Sequence, residues 1–413
     1  MTLVTNVGSR IEVIPPTYTW QPGGVLDVPV QVAQQAHHMP QFQVDWGEEV
    51  KSKTNGKLSH LTWISNLDSH NGYGIFSIAA MRLLRDRGIH ISVHQQIPPG
   101  IRERLKNEEP DILEMVERQD KFPTRLGLLI GHPQDLKMLP TPVRILDLMY
   151  ETTEVPQIWD PFQRDADAII VPCQQQVEIF RRVGWKNPIH TVPCMFELAL
   201  WPAMNRPPRD TFTFGCWARL SSRKMPLEIV QCFQRAFPDK DDVRLIMKTR
   251  NNDFGGGQVG AIPTIKDPRV TIVNAEWTHQ QMLDMVQSVD CGIFLSHGEG
   301  MYHGPVQAMA TGIPCITPDN SGFGMYAKSS HGWVVGNDPT RPVIDAEGMG
   351  FRNGKSLQWW NPSLDETIAH MRYAYEHPRE VEAKGKKAQR FVRKAFAEET
   401  IAKQLLDVLN IYA

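Results

Sequence analysis

Several features that would define other classes of protein are missing from this sequence of 413 residues. No run approaches the roughly 18 consecutive apolar residues of a membrane-spanning helix. The first residues show no basic segment followed by an apolar one, so we expect no secretory signal. Neither charge is in excess, because 44 Lys and Arg face 46 Asp and Glu, a formal net charge of -2. This balance gives the whole chain no electrostatic reason to bind nucleic acid or anionic lipid.

Paired cysteines are missing as well. The six cysteines stand singly in apolar surroundings, with no C-x-x-C pair and no zinc-ligand spacing. They are typical of buried thiols in a reducing compartment, which predicts a cytoplasmic protein. The histidines at 37, 38, 279, 297 and 303 lack a helical i, i+4 pairing or an accompanying set of carboxylates, so no metal site is predicted.

The pattern that is present is an alternation of strands and helices. It starts with the strand LTWIS, the loop SNLDSHNGYG, the helix IFSIAAMRLLRDRG and the strand IHISVH, which form a βαβ unit. The alternation continues to residue 200, stops at the proline-rich WPAMNRPPRD, and then resumes. This pattern predicts an α/β protein of two Rossmann-like, doubly wound domains that face each other across a cleft.

The same pattern predicts the domain boundaries. We expect an N-terminal extension over 1–56, a first Rossmann-like domain over 57–200, a linker over 201–210 and a second Rossmann-like domain over 211–395. Residues 396–413 are predicted to form a C-terminal helix that packs back on the first domain.

The first motif is a glycine loop, HNGYG, between the first strand and the first helix of the pattern. Gly72 and Gly74 would let the backbone approach an anion at the N-terminus of the helix. They could equally serve a tight turn.

The second motif is ARLSSRK, which lies between a strand and a helix of the second domain. Arg219 and Lys224, five residues apart, could both point into the cleft. Two fixed cations there would neutralise a diphosphate leaving group without a metal. A solvated basic turn is the other interpretation.

The third motif, SHGEGMYHGPVQAMATGIPCI over 296–316, is the most specific. It places Glu299 in a loop at the carboxyl end of a strand, followed by a helix that begins near Pro305. Ligands bind at such strand ends in open α/β sheets. Glu299 and Gln307 could hold hydroxyls of a sugar and of a ribose, although Glu299 could also cap the helix. The loop residues are predicted to contact the donor; they are Gly300, Met301, Tyr302, His303 and Gly304.

Together these motifs resemble glycosyltransferase family 4, a retaining family with the GT-B fold. The family shows a glycine loop after the first strand, then G-R-L-x-x-x-K, then E-x7-E followed by A-M-A-x-G-x-P-V-I. The resemblance extends from about residue 60 to 400 and also includes DADAIIVPCQQQVEIFRRVGWKNPIHTVP over 165–193. It implies that Arg219 and Lys224 hold the diphosphate of a nucleotide sugar, that Glu299 contacts the transferred sugar, and that the acceptor binds the first domain.

The chain departs from the family pattern at two points. Gln307 stands where the family has the second glutamate, and an amide binds ribose hydroxyls more weakly than a carboxylate does. The usual histidine of the first domain is not evident. Glu151 is our preferred substitute on the acceptor or sugar side, with Tyr150 and His132 as further candidates.

Two other features receive structural interpretations. Asp165-Ala166-Asp167 matches the D-x-D of metal-dependent glycosyltransferases, but Asp167 opens a predicted strand. Trp359-Trp360 are predicted to anchor the C-terminal helices.

The sequence therefore predicts a metal-independent, retaining glycosyltransferase with a nucleotide-sugar donor, for which UDP and glucose are guesses from family frequency. The acceptor could be a small molecule, a glycan or modified DNA. Three alternatives stay open: a DNA-modifying glucosyltransferase acting on hydroxymethylated bases, a GT-B sugar-nucleotide epimerase, and a non-catalytic nucleotide-sugar binder.

Overall fold

The structure is a computed structural model that describes residues 57–118, 124–207, 209–219, 221–249, 265–343 and 350–413. Of the predicted N-terminal extension it describes only the backbone of five short strands, β1 (Leu3–Asn6), β2 (Glu12–Ile14), β3 (Tyr18–Trp20), β4 (Val25–Asp27) and β5 (Phe42–Asp45). These strands pair antiparallel as β4-β1-β5 and β2-β3.

The first domain is built on a parallel sheet of six strands in the order β11-β10-β9-β8-β6-β7. The strands are β6 (His60–Ser65), β7 (His90–Val93), β8 (Leu126–Ile130), β9 (Val143–Asp147), β10 (Ala168–Val171) and β11 (Ile189–Thr191). The α-helices are α1 (Gly72–Arg85), α2 (Pro99–Glu108), α3 (Pro110–Glu117) and α4 (Gln174–Arg182).

Local sequence explains why these elements form. Every residue of β8 and β10 is buried, as expected for strands covered on both faces by helices. Helix α1 begins after Asn71, whose side chain accepts a hydrogen bond from the Gly74 amide at 2.8 Å. The turn after α1 contains Gly88 at φ 80°, a backbone conformation that glycine adopts without strain.

The second domain repeats this architecture with the strand order β14-β13-β12-β15-β16-β17. Its strands are β12 (Phe212–Trp217), β13 (Val243–Thr249), β14 (Val270–Asn274), β15 (Cys291–Ile293), β16 (Cys315–Pro318) and β17 (Trp333–Val335). Its helices are α5 (Pro226–Ala236), α6 (His279–Gln287), α7 (His303–Ala310), α8 (Leu364–Glu376) and α9 (Pro378–Ala395), and α10 (Glu398–Tyr412) ends the chain.

Both sheets contain a point at which the strand order reverses. In the second domain the chain leaves β12 in one direction through β13 and β14, and returns to the other side of β12 with β15. Ligands of doubly wound sheets bind outside the carboxyl ends of the strands at this point. The prediction of two doubly wound domains with a helical end is confirmed.

An arm that the sequence did not predict runs from the second domain onto the first. It consists of the antiparallel pair β18 (Asn337–Pro342) and β21 (Gln358–Pro362), with the hairpin β19 (Phe351–Arg352) and β20 (Lys355–Ser356) between them. Arg352 donates two hydrogen bonds to the Asp160 carboxylate, at 3.1 and 2.6 Å, and one to the Val155 carbonyl at 2.6 Å. Because Asp160 and Val155 belong to the first domain, the arm ties the two domains together.

The C-terminal helix also contacts the first domain. The Leu58 amide donates a hydrogen bond to Asn410 Oδ1 at 2.7 Å, and His190 Nε2 lies 2.8 Å from the Tyr412 hydroxyl. No helix in the described part of the chain is both long and apolar enough to cross a membrane.

Candidate functional site at the switch point of the second domain

The loops after β12 and β15 meet at a cluster of charged side chains. The Glu299 carboxylate is buried and receives Lys224 Nζ at 2.7 Å and Arg223 Nη1 at 2.8 Å. Arg223 also reaches across the cleft, where its Nη2 lies 3.1 Å from Glu151 Oε1. The structure thus brings the predicted Lys224, Glu299 and Glu151 together through a residue that the sequence analysis missed.

The sequence feature that could have indicated Arg223 is its position in the same basic turn as Lys224. The sequence alone could not choose among the cations of this turn, since the choice depends on where the short 3-10 turn Ser222–Lys224 points them. The Arg223 side chain is held further by its hydrogen bond to the Gly298 carbonyl at 2.6 Å.

The cluster perturbs the ionisation of its members. Burial favours the neutral acid of Glu299, but Arg223 and Lys224 outweigh it and lower the pKa of this carboxyl. Burial also lowers the pKa of Lys224 in spite of Glu299. For Arg223, burial is outweighed by Glu151 and Glu299, so its pKa is raised. In this site the positive charges of Arg223 and Lys224 are therefore neutralised by the two carboxylates, Glu151 and Glu299.

Lys224 is confined on its other side by an aromatic ring. Its Nζ lies 3.4 Å from the centroid of the Tyr302 ring, a cation–π contact. The Tyr302 hydroxyl is 3.4 Å from the Trp217 carbonyl and so remains on the β12 side of the site. The lysine ammonium is thereby fixed between Glu299 and Tyr302.

Arg219 lies beside this cluster, in the wall of a small cavity at the carboxyl ends of β12 and β13. The cavity is lined by Cys216, Ala218, Arg219, Lys224, Pro226, Met247 and Lys248. Its volume of about 10 Å³ is room for about one water molecule, far below the roughly 300–1,000 Å³ of pockets that bury a ligand of moderate size. A nucleotide sugar does not fit in this cavity.

Close packing between the domains explains why the Glu299 loop contains glycine, and the sequence did not reveal this packing. A Cβ at Gly298 would lie 2.0 Å from the Glu151 carbonyl oxygen, and one at Gly300 would lie 2.1 Å from Met149 Cβ. The loop therefore packs directly against the chain that follows β9 in the first domain. Glycine is required at both positions for this close approach, whether or not a ligand binds.

Helix α7 presents an uncapped N-terminus to the cleft. Tyr302 is its N-cap residue, and no side chain of the described residues caps it. Met301 and Gly304 are buried, and a Cβ at Gly304 would lie 2.6 Å from the Phe294 ring. His303, the first residue of the helix, faces the first domain at Phe196, with ring centroids 4.8 Å apart.

Gln307 is turned toward β12. Its Oε1 accepts a hydrogen bond from the Trp217 indole at 2.8 Å. The side chain that the resemblance assigns to ribose hydroxyls is thus engaged within the second domain.

The two glycines of the first-domain loop, Gly72 and Gly74, have different roles. A Cβ at Gly74 would lie 1.8 Å from the Asp68 carbonyl oxygen, so glycine is needed there for the turn itself. Gly72 is exposed, and the nearest atom to a Cβ at this position is His303 Nε2, at 4.0 Å. Gly72 therefore leaves space between the two domains.

The two remaining candidates of the first domain sit beside the core rather than in the charge cluster. The Tyr150 ring is buried and packs edge-on against Trp159 at 4.8 Å. Burial raises its pKa. His132 follows β8, with its ring 5.8 Å from Trp159 and 6.1 Å from Tyr73. Of the three candidates for the missing histidine, only Glu151 joins the cluster through its side chain.

Asp167 lies at the wrong end of the sheet for a ligand. Its Oδ2 accepts a hydrogen bond from the Arg144 amide at 2.9 Å, where β9 and β10 begin. No three His, Cys, Asp or Glu side chains among the described residues are arranged to hold a metal ion.

Trp359 stacks on His297 at 5.2 Å, and the Trp360 amide donates to the His297 carbonyl at 3.0 Å. These tryptophans thus support the loop after β15, a contact that differs from the predicted one.

No protein-family profile matches this chain, and no curated protein matches it in sequence. Solved structures do match its fold. Sucrose-phosphate synthase from Thermosynechococcus elongatus superposes with a TM-score of 0.62 at 14% identity, covering 86% of this chain and 99% of that one. HepE from Anabaena, solved with UDP and glucose, gives 0.56 at 13% identity, covering 85% and 99%. The OtsA apo structure gives 0.56 at 12%, covering 86% and 99%. Because the identities are low, the likeness concerns the fold, and the chain has the two-domain GT-B fold.

Proposed function

We propose that this protein is a glycosyltransferase that transfers a sugar from a nucleotide diphosphate sugar to a hydroxyl acceptor. The observation that carries the proposal is the convergence of Arg219, Arg223, Lys224 and Glu299 at the carboxyl ends of β12 and β15. This is the ligand-binding edge of a doubly wound sheet. Fixed cations at this edge suit a diphosphate, and the solved structures of the same fold include one with UDP and glucose bound.

The proposed chemistry follows from the charge that develops as the nucleoside diphosphate leaves. Arg219, Lys224 and the uncapped N-terminus of α7 would stabilise that charge, which removes the need for a metal. Glu299 is fixed by two cations and serves as a charge partner or sugar contact rather than as a nucleophile. We therefore propose attack from the face that the diphosphate leaves, with the departing phosphate accepting the proton of the acceptor and the configuration retained.

Donor binding would require the charge balance of the site to change. A diphosphate adds negative charge where Glu151 and Glu299 already neutralise Arg223 and Lys224. The small cavity beside Arg219 also has to widen. Both requirements are met if the domains separate at the Arg223–Glu151 contact, which exposes the cations to the donor.

The substrate preferences are the least constrained part of the proposal. A hexose, with glucose and UDP as the first choices, is consistent with the resemblance in sequence and with the ligands of HepE. The acceptor would bind the first domain, with Glu151 at its hydroxyl.

Turnover of the donor tests this proposal. The protein is incubated in EDTA with UDP-glucose, UDP-N-acetylglucosamine or GDP-mannose, and the release of nucleoside diphosphate is measured. We expect release from one donor and its loss in Lys224→Ala. The matched control is Lys386→Ala, because Lys386 is exposed on helix α9. Equal release by both variants would contradict the assignment of the diphosphate site, and release of a changed sugar nucleotide would indicate an epimerase.

A second candidate, a non-catalytic nucleotide-sugar binder, is favoured by one observation. Gln307 is held by Trp217, and Lys224 is enclosed by Tyr302 and Glu299, so both are engaged before any ligand arrives. Such a protein would bind one donor of the panel and never release the diphosphate.

A further inference from the structure

His303 is a polar side chain that lies between the two domains and has no polar partner in the described part of the chain. It begins helix α7 in the second domain and packs edge-on against Phe196 of the first. Both of its ring nitrogens are buried, and neither has a hydrogen-bond partner among the described residues. Burial, assisted by the nearby Lys224, lowers its pKa to about 4, so the ring is neutral at neutral pH.

A neutral imidazole in this position has an unused donor and an unused acceptor. Leaving such a buried group without a partner costs roughly 1–3 kcal/mol. Native proteins satisfy nearly all buried polar groups, and exceptions call for an explanation such as a functional role. The charge cluster lies beside His303, since Lys224 Nζ lies 3.4 Å from the ring centroid of Tyr302, the preceding residue.

The space in front of His303 is bounded by a glycine of the other domain. Gly72 is exposed at the start of helix α1, and a Cβ placed on it would lie 4.0 Å from His303 Nε2. Apart from its two chain neighbours and the backbone of its own helix, no other atom of the described residues lies within 4 Å of that Cβ position. The absence of a side chain at residue 72 therefore keeps a gap open between the Gly72 backbone and the imidazole.

We propose that the gap between His303 and Gly72 is a binding site for a sugar hydroxyl, shared by both domains. Nε2 is the ring nitrogen nearest this gap, and a hydroxyl can pair with it in either tautomer of the neutral ring, accepting from its N–H or donating to its lone pair. The inference rests on the proposed function and adds the group that recognises the sugar. The hydroxyl could come from the transferred sugar of the donor or from the acceptor.

Four variants test the site. His303→Leu removes both nitrogens, whereas His303→Gln keeps an amide near the position of Nε2. Gly72→Ala places a methyl group in the gap at an ordinary van der Waals distance. Gly100→Ala is the matched control, because Gly100 also lies in the first turn of a helix and a Cβ there would meet no atom of another described segment within 4 Å. Each variant is measured for melting temperature, for the Kd of UDP and of UDP-glucose, and for release of UDP from UDP-glucose, with the donor that wild type prefers replacing UDP-glucose if it differs.

We expect the affinity or the turnover rate of His303→Leu and Gly72→Ala to be about fivefold to tenfold lower than that of wild type. This factor corresponds to the loss of one hydrogen bond of about 1 kcal/mol or slightly more. His303→Gln should retain most of the function, and Gly100→Ala all of it. His303→Leu should melt no lower than wild type, because it removes two unsatisfied buried nitrogens. A purely structural histidine would instead show a lower melting temperature and unchanged affinity.

The pattern of losses identifies the source of the hydroxyl. A weaker Kd for UDP-glucose with an unchanged Kd for UDP assigns it to the donor sugar. Unchanged affinities with slower release assign it to the acceptor, whose place water takes in hydrolysis. If wild type binds and cleaves a nucleotide sugar and His303→Leu does the same, this inference is wrong and the proposed function stands. If wild type binds none, both are wrong.

Discussion

The contact between Arg223 and Glu151 predicts that removing the negative charge of Glu151 strengthens the binding of the donor, whereas most changes in a binding site weaken it. Arg223 lies 3.1 Å from Glu151 and 2.8 Å from Glu299. A diphosphate that binds Arg223 has to replace one of these carboxylates. Glu151 is 37% exposed and makes one ion pair, whereas Glu299 is 4% exposed and makes two. Glu151 is therefore the carboxylate that gives way.

The magnitude follows from the exposure of the pair. A partly exposed ion pair contributes about 0.2–1 kcal/mol. Glu151→Gln keeps the shape and removes the competing charge, so the Kd of the donor should improve by about 1.4-fold to fivefold. Glu299→Gln should instead lower the stability of the fold, because breaking a buried ion pair from one side costs about 3–5 kcal/mol.

Isothermal titration with the nucleoside diphosphate measures this effect. The control is Glu114→Gln, which makes the same change in net charge on an exposed residue of helix α3. The gain of Glu151→Gln should shrink at high salt, since partly exposed charges are screened. Weaker binding by Glu151→Gln, or an equal gain in Glu114→Gln, would refute the competition between carboxylate and phosphate.

Three further predictions concern the second domain. Arg219→Ala and Lys224→Ala should each lower kcat/KM for the donor by about 10²- to 10³-fold, the usual loss when a group that stabilises transition-state charge is removed, and steady-state kinetics would show it. The pKa of Glu299 is below its ordinary 4.5 in the folded protein, so its ion pairs stabilise the fold above that pH and are lost as the pH falls through the folded value. Melting temperatures from pH 3 to 7 should therefore fall less steeply below about pH 4.5 in Glu299→Gln than in wild type. Gln307→Glu keeps an oxygen for the Trp217 indole and adds a charged acceptor for ribose, so titration should show tighter binding of the nucleoside diphosphate, and unchanged affinity would remove residue 307 from the ribose site.

The fold was predictable because its signals are local. Buried strands such as Leu126–Ile130 are continuous apolar runs, and amphipathic helices with glycine after them separate the strands. The order of these elements is enough to indicate two doubly wound domains. The arm that contains β18 to β21 gave no such signal, since its strands are short and Asn337–Pro342 is mostly exposed.

The candidate site was predictable only in part. Lys224 and Glu299 lie in motifs at strand ends, and the structure pairs them at 2.7 Å. Arg223 was missed because the spacing of residues along the sequence does not indicate in which direction a side chain of a 3-10 turn points. The tight fit of Gly298 against Glu151 joins segments that are far apart in the chain, so no local pattern could reveal it.

The central claim is that the cations after β12 form a donor site that needs no metal. Thermal stabilisation by UDP-glucose, UDP-N-acetylglucosamine and GDP-mannose in EDTA tests it most directly, with wild type compared with the Arg219→Ala, Lys224→Ala double variant. We expect one donor to raise the melting temperature of wild type in EDTA and to leave that of the double variant unchanged. No stabilisation of wild type by any donor, or an equal shift in both proteins, would contradict it.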